Sequence, residues 1–210
     1  KKEYRPIIGL NNGIDVLQIK HLRKKYVSNS RRHEVLFLGR VTEKSSFNIL
    51  LNAFQHPKIK NISLNVIGNS SFDSYLKLDK YNFNNGVKVN YYGKLTNEKQ
   101  IAKIANRCRI FVYPGSVGLS LIHAMAYGLP CLVHSDPPLH MPEIAAFKEG
   151  VTGLSFNRND PEDLAIKLYS MISDIRHLDF MSEECLKIVE SDFNTTKMTE
   201  KFSKFIRKFI

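Results

Sequence analysis

The 210-residue chain is long enough for one sizeable α/β domain, or two small ones, with a hydrophobic core. Its 43% hydrophobic and 24% charged residues are ordinary for a globular protein, and no stretch approaches the roughly 20 apolar residues that span a bilayer. The net charge of +11 is unusual, and most of it lies in residues 1–60, with 13 Lys and Arg against 4 Asp and Glu. Such a charge suits nucleic acid, anionic lipid or a phosphorylated small ligand, and composition does not choose among them.

Short apolar runs alternate with helical patterns along the chain. Strands are predicted at 35–38, 64–67, 87–91, 110–113, 131–134 and 153–156. Helical patterns lie near 47–54, 71–80, 97–106, 119–127, 160–173, 177–191 and 195–210. This alternation predicts a Rossmann-like, three-layer α/β/α fold with a parallel sheet of about six strands.

Three cysteines, Cys108, Cys131 and Cys185, are widely separated along the chain. Their spacing matches neither a disulfide framework nor a Cys-x-x-Cys metal site, so we expect a reducing, cytoplasmic compartment. His134 and His140 lie near two carboxylates, but they lack the spacing of known metal motifs. We therefore expect no metal site.

The turn after the fourth predicted strand carries the most suggestive chemistry. Gly115 and Gly118 flank Ser116 and Val117, and a helical pattern begins immediately after them. Glycines let backbone N–H groups approach a ligand, and a helix N-terminus favours anions, so this turn could hold a phosphate. A tight turn that needs glycine for its geometry alone is an equally good explanation.

Two further side chains lie at the same predicted edge of the sheet. Arg40 follows the first strand directly, where it could contact an anion, although a surface arginine paired with a carboxylate is common. His123 lies one turn into an apolar helix, where a histidine is more often a core residue than a functional one. Their convergence on one edge favours the functional interpretation.

The last helical pattern is amphipathic. Its apolar side chains recur with helical spacing, and five Lys and Arg residues occupy the opposite face. Such a helix could lie on an anionic membrane, but packing against its own core or a partner domain is more common.

Several segments, in order along the chain, resemble the donor-binding domain of one enzyme family. These segments are Asn12-Gly13-Ile14-Asp15, Leu38-Gly39-Arg40-Val41-Thr42-Glu43-Lys44, Asn48 to Phe54, Val66-Ile67-Gly68, Tyr91-Tyr92-Gly93, Ile101 to Ala105, Phe111 to Pro114, Gly118-Leu119-Ser120, Ala124 to Pro130, Pro142-Glu143 and Gly150 to Leu154. The family is that of retaining glycosyltransferases with the GT-B fold, the glycosyl transferases group 1 (family 4) set. The resemblance extends from about residue 7 to 205.

The resemblance implies two Rossmann-like domains that face a cleft, of which this chain is the C-terminal, donor-binding half. It implies an interdomain linker and domain start at 1–32, a nucleotide-sugar-binding domain at 33–192, and an amphipathic helix at 193–210 that packs on the missing N-terminal domain. The donor would be a nucleotide diphosphate sugar of UDP or GDP type, bound without a cofactor or metal.

Site residues follow from the same resemblance. Arg40 matches an arginine that binds the donor diphosphate, and Lys44 lies one step before the place of a companion lysine, which Ser45 occupies. Gly118, Leu119 and Ser120 match the helix start that holds phosphate.

The family's two glutamates fall on Gly115 and His123, so both are replaced. His123 would then bind the ribose, and the 115–117 turn would face the transferred sugar together with Glu143. The neutral imidazole forms one hydrogen bond to a hydroxyl where glutamate could form two. These replacements leave the catalytic residues unassigned.

The expected function is therefore retaining hexosyl transfer in the synthesis of a bacterial-type polysaccharide or lipid-linked glycan. The acceptor would bind through the missing domain, the protein would be cytoplasmic and peripheral to the membrane, and this isolated half would be inactive. A GT-B-like sugar-nucleotide epimerase and a non-catalytic nucleotide-sugar-binding module remain alternatives. Nucleic acid is not an expected partner, because no RNP, helix-turn-helix or zinc signature is present.

Overall fold

A single parallel sheet organises the chain in a computed structural model, which describes residues 7–70, 81, 83 and 85–208. Its strands are β1 (Glu34–Leu38), β2 (Ser63–Ile67), β3 (Lys88–Tyr91), β4 (Ile110–Tyr113), β5 (Cys131–His134) and β6 (Gly153–Phe156). They are ordered β3-β2-β1-β4-β5-β6, and every neighbouring pair is parallel. The predicted Rossmann-like sheet is thus confirmed, with strand boundaries within one residue of the sequence pattern.

Helices of the described residues flank this sheet. They are α1 (Val16–Leu22), α2 (Phe47–Ala53), α3 (Glu98–Ala105), α4 (Leu119–Ala126), α5 (Pro161–Ser173), α6 (Ile175–Asp192) and α7 (Thr195–Ile206). The structure confirms six of the predicted helices, α2 to α7, whereas the helix predicted near 71–80 lies outside the described residues. Helix α2 packs against α5, and α4 packs against α6 and α1, so two helical layers enclose the sheet.

Helix α1 was not predicted from the sequence. The Asp15 carboxylate accepts a hydrogen bond from the Gln18 backbone N–H at 3.0 Å, which caps the helix, and Val16 and Ile19 are buried. Just before it, Ile14 forms a parallel bridge with Asn194 at the start of α7. The segment from residue 14 onward is therefore attached to the same body as the sheet.

The core consists of the central strands and the inner faces of the helices. All residues of β1, β4 and β5 are buried, as expected for strands covered on both faces. The three cysteines lie in this core, and each is fully buried. Burial raises the pKa of the Cys108 thiol to about 12 and that of Cys185 well above its ordinary value.

Helix α7 differs from the other helices because none of its residues is buried. Phe202 and Ile206, on its apolar face, are 48% and 37% exposed. Among the helices that the structure describes, none combines the length and apolar character that crossing a bilayer demands.

Candidate functional site

A cleft of about 500 Å³ opens where β1 and β2 end and α4 begins. Because parallel strands direct all their carboxyl ends to one edge of the sheet, the turns after them converge there. The lining residues are Ile14, Leu38, Gly39, Arg40, Ile67, Gly68, Asn69, Lys94, Leu95, Leu119, Ser120 and His123.

Two exposed cations, Arg40 and Lys94, form what we call the basic arm of the cleft. Gly39 positions Arg40 with a φ of 145°, and a Cβ atom at Gly39 would lie 2.9 Å from the Tyr113 ring. Neither cation forms an ion pair with a carboxylate in the described part of the chain. The basic arm is therefore available to an anionic ligand.

The turn of residues 115–118 leads directly into the α4 residues that line the cleft, and it is held by backbone contacts. A Cβ atom at Gly115 would lie only 2.1 Å from the Lys44 carbonyl oxygen, so this position requires glycine for close packing. The Ser116 N–H donates to that same carbonyl at 3.1 Å, and the Met141 N–H donates to the Val117 carbonyl at 3.0 Å. The 115–118 turn therefore has a single shape imposed by its neighbours.

His140 adds a side-chain contact to the 115–118 turn. Its Nδ1 accepts a hydrogen bond from the Val117 N–H at 3.1 Å, so the ring proton is on Nε2, which donates to the His134 carbonyl at 2.9 Å. The rings of His134 and His140 stack with centroids 3.7 Å apart. Burial and the neighbouring His140 lower the pKa of His134 to about 4, and burial also lowers the pKa of His140.

Helix α4 begins at this turn and presents Leu119 and Ser120 to the cleft. The first N–H groups of a helix have no acceptor within it, and the helix dipole adds partial positive charge there. Together with Arg40, this helix start provides positive potential on two sides of the cleft. The arrangement can bind a phosphate or diphosphate group.

His123, one turn further along α4, lines the cleft and contacts a carboxylate. Its Nε2 lies 2.8 Å from Glu98 Oε1, and the Tyr127 hydroxyl donates to the same oxygen at 2.6 Å. Burial by itself would raise the pKa of Glu98, but the hydrogen bonds from His123 and Tyr127, together with electrostatic attraction to the His123 ring, lower it overall. The Glu98 carboxyl is therefore ionised at neutral pH.

Glu143 lies beside the start of α4 and is 4% exposed. Its Oε1 accepts a hydrogen bond from Asn12 Nδ2 at 2.6 Å, whereas its buried Oε2 has no hydrogen-bond partner among the described residues. A Cβ atom at Gly118 would lie 3.5 Å from that oxygen. One Glu143 oxygen therefore remains able to accept a hydrogen bond next to the 115–118 turn.

The structure places four predicted residues, Arg40, Leu119, Ser120 and His123, in the lining of one cleft. The predicted 115–118 turn and Glu143 lie next to it. The Lys44 side chain is exposed and outside the cleft lining, and only the Lys44 backbone reaches the 115–118 turn.

Two residues of the candidate site, Lys94 and Glu98, were not identified from the sequence. Lys94 follows β3 at the same sheet edge as Arg40, so inspecting the turn after every strand would have found it. Glu98 is the first residue of α3, where an acidic residue is normally explained by the helix dipole alone.

No group of three or more His, Cys, Asp or Glu side chains within the described ranges is arranged to hold a metal ion.

Comparisons with known proteins agree with this architecture. An uncharacterized 41.2 kDa protein in the cps region of Klebsiella pneumoniae is 24% identical over 181 residues, which cover 83% of this chain and 46% of that protein. The crystal structure of Anabaena Alr3699/HepE in complex with UDP and glucose has a TM-score of 0.74 at 17% identity, over 95% of this chain and 56% of that one. The chain thus spans about half the length of these two proteins.

A structure of domain size is also similar. The C-terminal domain of a glycosyl transferase group 1 family protein (LpcC) from Francisella tularensis has a TM-score of 0.70 at 15% identity, covering 87% of this chain and 100% of that one. The fold is that of GT-B C-terminal domains. Residues 18–186 match the family described as glycosyl transferases group 1. With most of its length matched, the chain belongs to the glycosyl transferases group 1 family.

Proposed function

We propose that this chain is the donor-binding domain of a retaining hexosyltransferase that uses a UDP- or GDP-sugar. The observation that carries the proposal is the convergence of Arg40, the start of α4 and His123 on one cleft. The Anabaena neighbour, which was crystallised with UDP and glucose, supports a nucleotide-sugar ligand. The cps region of the Klebsiella relative supports a role in building a polysaccharide or lipid-linked glycan.

In the proposed reaction the bond between sugar C1 and the diphosphate oxygen breaks, and an acceptor oxygen replaces it on the same face of the sugar. The acceptor's proton leaves with the diphosphate. Arg40 and the N–H groups of Leu119 and Ser120 would stabilise the negative charge that develops on the leaving group. This role needs no cofactor, because the charge is balanced by protein groups.

The remaining groups would position the donor. His123 would bind the ribose, while the 115–117 turn and the free Oε2 of Glu143 would face the transferred sugar. Held in this orientation, the sugar presents C1 to the acceptor, and fixed orientation itself lowers the barrier.

The acceptor site would lie on an N-terminal domain outside these 210 residues. The exposed Phe202 and Ile206 of α7 provide an apolar face on which that domain could pack. The Lys and Arg residues near both ends would face phosphates or an anionic membrane surface on the cytoplasmic side. By this proposal the 210-residue chain binds donor but transfers no sugar by itself.

Calorimetry with the 210-residue chain tests the donor site directly. We expect weak binding of UDP or GDP, and a clear preference for one of them over inorganic sulfate, because base and ribose contacts add to the phosphate contacts. A panel of nucleotide sugars, compared by the rise in melting temperature, then identifies the donor. Equal affinity for nucleoside diphosphates and sulfate would refute the donor site.

His123→Ala tests the ribose contact. We expect this change to weaken UDP or GDP binding while leaving pyrophosphate binding unchanged, because pyrophosphate has no ribose. His177→Ala, at a ring that is 43% exposed on α6, is the matched control. Equal losses for nucleoside diphosphate and pyrophosphate would refute the ribose role of His123.

A further inference from the structure

A carboxylate that the family resemblance did not assign lies behind His123. Glu98 Oε1 is 2.8 Å from His123 Nε2 and accepts a hydrogen bond from the Tyr127 hydroxyl at 2.6 Å. The side chains of Glu98 and His123 are only 15% and 21% exposed. The contact therefore links α3 to α4 in a largely dehydrated setting.

The hydrogen-bonding capacity of Glu98 determines which nitrogen of the His123 ring carries a proton. An ionised carboxylate only accepts hydrogen bonds, so His123 Nε2 must carry a proton and donate it to Glu98. Burial raises the pKa of Tyr127, and so does the Glu98 carboxylate, so the phenol also keeps its proton and donates. A neutral ring protonated on Nε2 leaves Nδ1 as an acceptor, and Nδ1 makes no hydrogen bond to the described residues.

We propose that Glu98 is a positioning residue of the ribose subsite, which holds His123 as the Nε2–H tautomer so that Nδ1 accepts a hydrogen bond from one ribose hydroxyl. This inference rests on the proposed function, because it assumes that the cleft binds a nucleoside diphosphate. The Glu98–His123 pair thus takes the place of a single glutamate at position 123. Glu98 supplies the negative charge, and His123 supplies the contact with the ligand.

The pair differs from a glutamate in a way that can be measured. A carboxylate could accept hydrogen bonds from both ribose hydroxyls, whereas a single imidazole nitrogen accepts from one. We therefore expect only one of 2′-deoxy-UDP and 3′-deoxy-UDP to bind more weakly than UDP through this contact. If UDP is not the preferred nucleotide, the corresponding deoxy analogues of GDP replace these probes.

The tautomer is tested by NMR of the 210-residue chain labelled with ¹⁵N at histidine. We expect the His123 signals of a neutral ring protonated on Nε2, and we expect Glu98→Ala to abolish that preference. Glu98→Gln should largely preserve it, because the Gln amide oxygen can accept from both His123 and Tyr127. Tyr127→Phe removes the other donor to Glu98 but leaves the Glu98–His123 contact, so we expect it to keep the Nε2–H preference and to serve as the control.

Binding is then compared for the nucleoside diphosphate and for pyrophosphate. We expect Glu98→Ala to weaken the nucleoside diphosphate about fivefold and to leave pyrophosphate unchanged, the loss expected for one misaligned hydrogen bond. Glu162→Ala is the matched control, because it removes an exposed acidic residue from the first turn of α5.

Two results would overturn the inference. One is a proton on Nδ1 of His123 in the unaltered chain at neutral pH, either as the neutral Nδ1–H tautomer or as the doubly protonated imidazolium, because Nδ1 could then not accept a hydrogen bond. The other is an unchanged ratio of nucleoside diphosphate to pyrophosphate affinity in Glu98→Ala while the unaltered chain does prefer the nucleoside diphosphate. The proposed function itself fails differently, since the unaltered chain would then show no such preference at all.

Discussion

The candidate site has two sides that are constructed in opposite ways: the 115–118 turn beside the cleft, and the basic arm that lines it. The 115–118 turn is fixed by close backbone packing and by His140, so its shape is determined by the interior of the protein. The basic arm of Arg40 and Lys94 is exposed and has no carboxylate partner within the described residues. The turn is rigidly packed, whereas the basic arm consists of exposed charged side chains, so changes on the two sides should have different consequences.

Gly115→Ala should give the largest effect. The added Cβ atom would lie 2.1 Å from the Lys44 carbonyl oxygen and 2.5 Å from the Ser45 carbonyl carbon, and both of these neighbours are backbone atoms that cannot move freely. We expect a loss of at least about 3 kcal/mol in the free energy of unfolding, measured by urea denaturation. Gly9→Ala, where nothing lies within 4 Å of the added atom, should stay within about 0.5 kcal/mol of the unaltered chain. Similar losses in both variants would mean that the 115–118 turn is not specially constrained.

The stacked histidine pair, of which His134 is buried, makes the same side of the site sensitive to acid. His134 is neutral in the folded chain down to about pH 4, whereas an unfolded histidine takes up a proton near pH 6.5. The unfolded state therefore binds more protons between these values. Stability should be highest above pH 6.5 and should fall by about 3 kcal/mol as the pH drops to about 4.

Urea denaturation across that pH range measures this effect. His134→Asn should flatten the pH dependence, because Asn does not titrate but can still accept a hydrogen bond from the Asp136 N–H, as His134 Nδ1 does. His177→Asn is the control for an exposed histidine on α6. If the free energy of unfolding of His134→Asn falls with pH as steeply as that of the unaltered chain, other groups cause the acid sensitivity.

Arg40→Ala should weaken binding without affecting the fold. Loss of a charge-assisted hydrogen bond to a diphosphate should reduce UDP or GDP affinity at least about tenfold, and stability should change little because the Arg40 side chain is exposed. Calorimetry measures the affinity, and the melting temperature measures the stability. A variant with a lower melting temperature and unchanged affinity would show that Arg40 stabilises the fold and does not bind the ligand.

Lys94→Ala should show the smallest effect. A lysine acts as a flexible point charge, so we expect about a threefold loss of affinity that disappears at high salt. Lys103→Ala, at an exposed position of α3 outside the cleft, is the matched control. A loss at Lys94 that equals the loss at Arg40 would indicate a direct, salt-resistant contact.

The sheet was predictable because its signal is local. Most strands are short apolar runs, such as Ile110–Tyr113, and most are followed by a Gly- or Pro-containing turn. Helix α1 escaped prediction because only Val16 and Ile19 are buried in it, too few for a clear helical period. Its burial depends on α3 and α4, which are distant in the sequence.

The cleft was predictable in outline and not in its contacts. The position of Arg40 after β1 follows from chain order alone. The Glu98–His123–Tyr127 contacts depend on how α3 and α4 lie beside each other, which no local pattern records. For the same reason, the sequence showed two histidines near Asp136, but neither their stacking nor the hydrogen bond that joins His140 to the 115–118 turn.

The burial of all three cysteines has a practical consequence. Maleimides and similar labels react with accessible thiolates, and Cys108, Cys131 and Cys185 present none. A single cysteine introduced at an exposed position, for instance Glu162→Cys, would therefore be the one reactive thiol of the described chain, with no need to remove the native residues. A fluorescent dye at that position would allow the motion of this domain to be followed while its core remains unaltered.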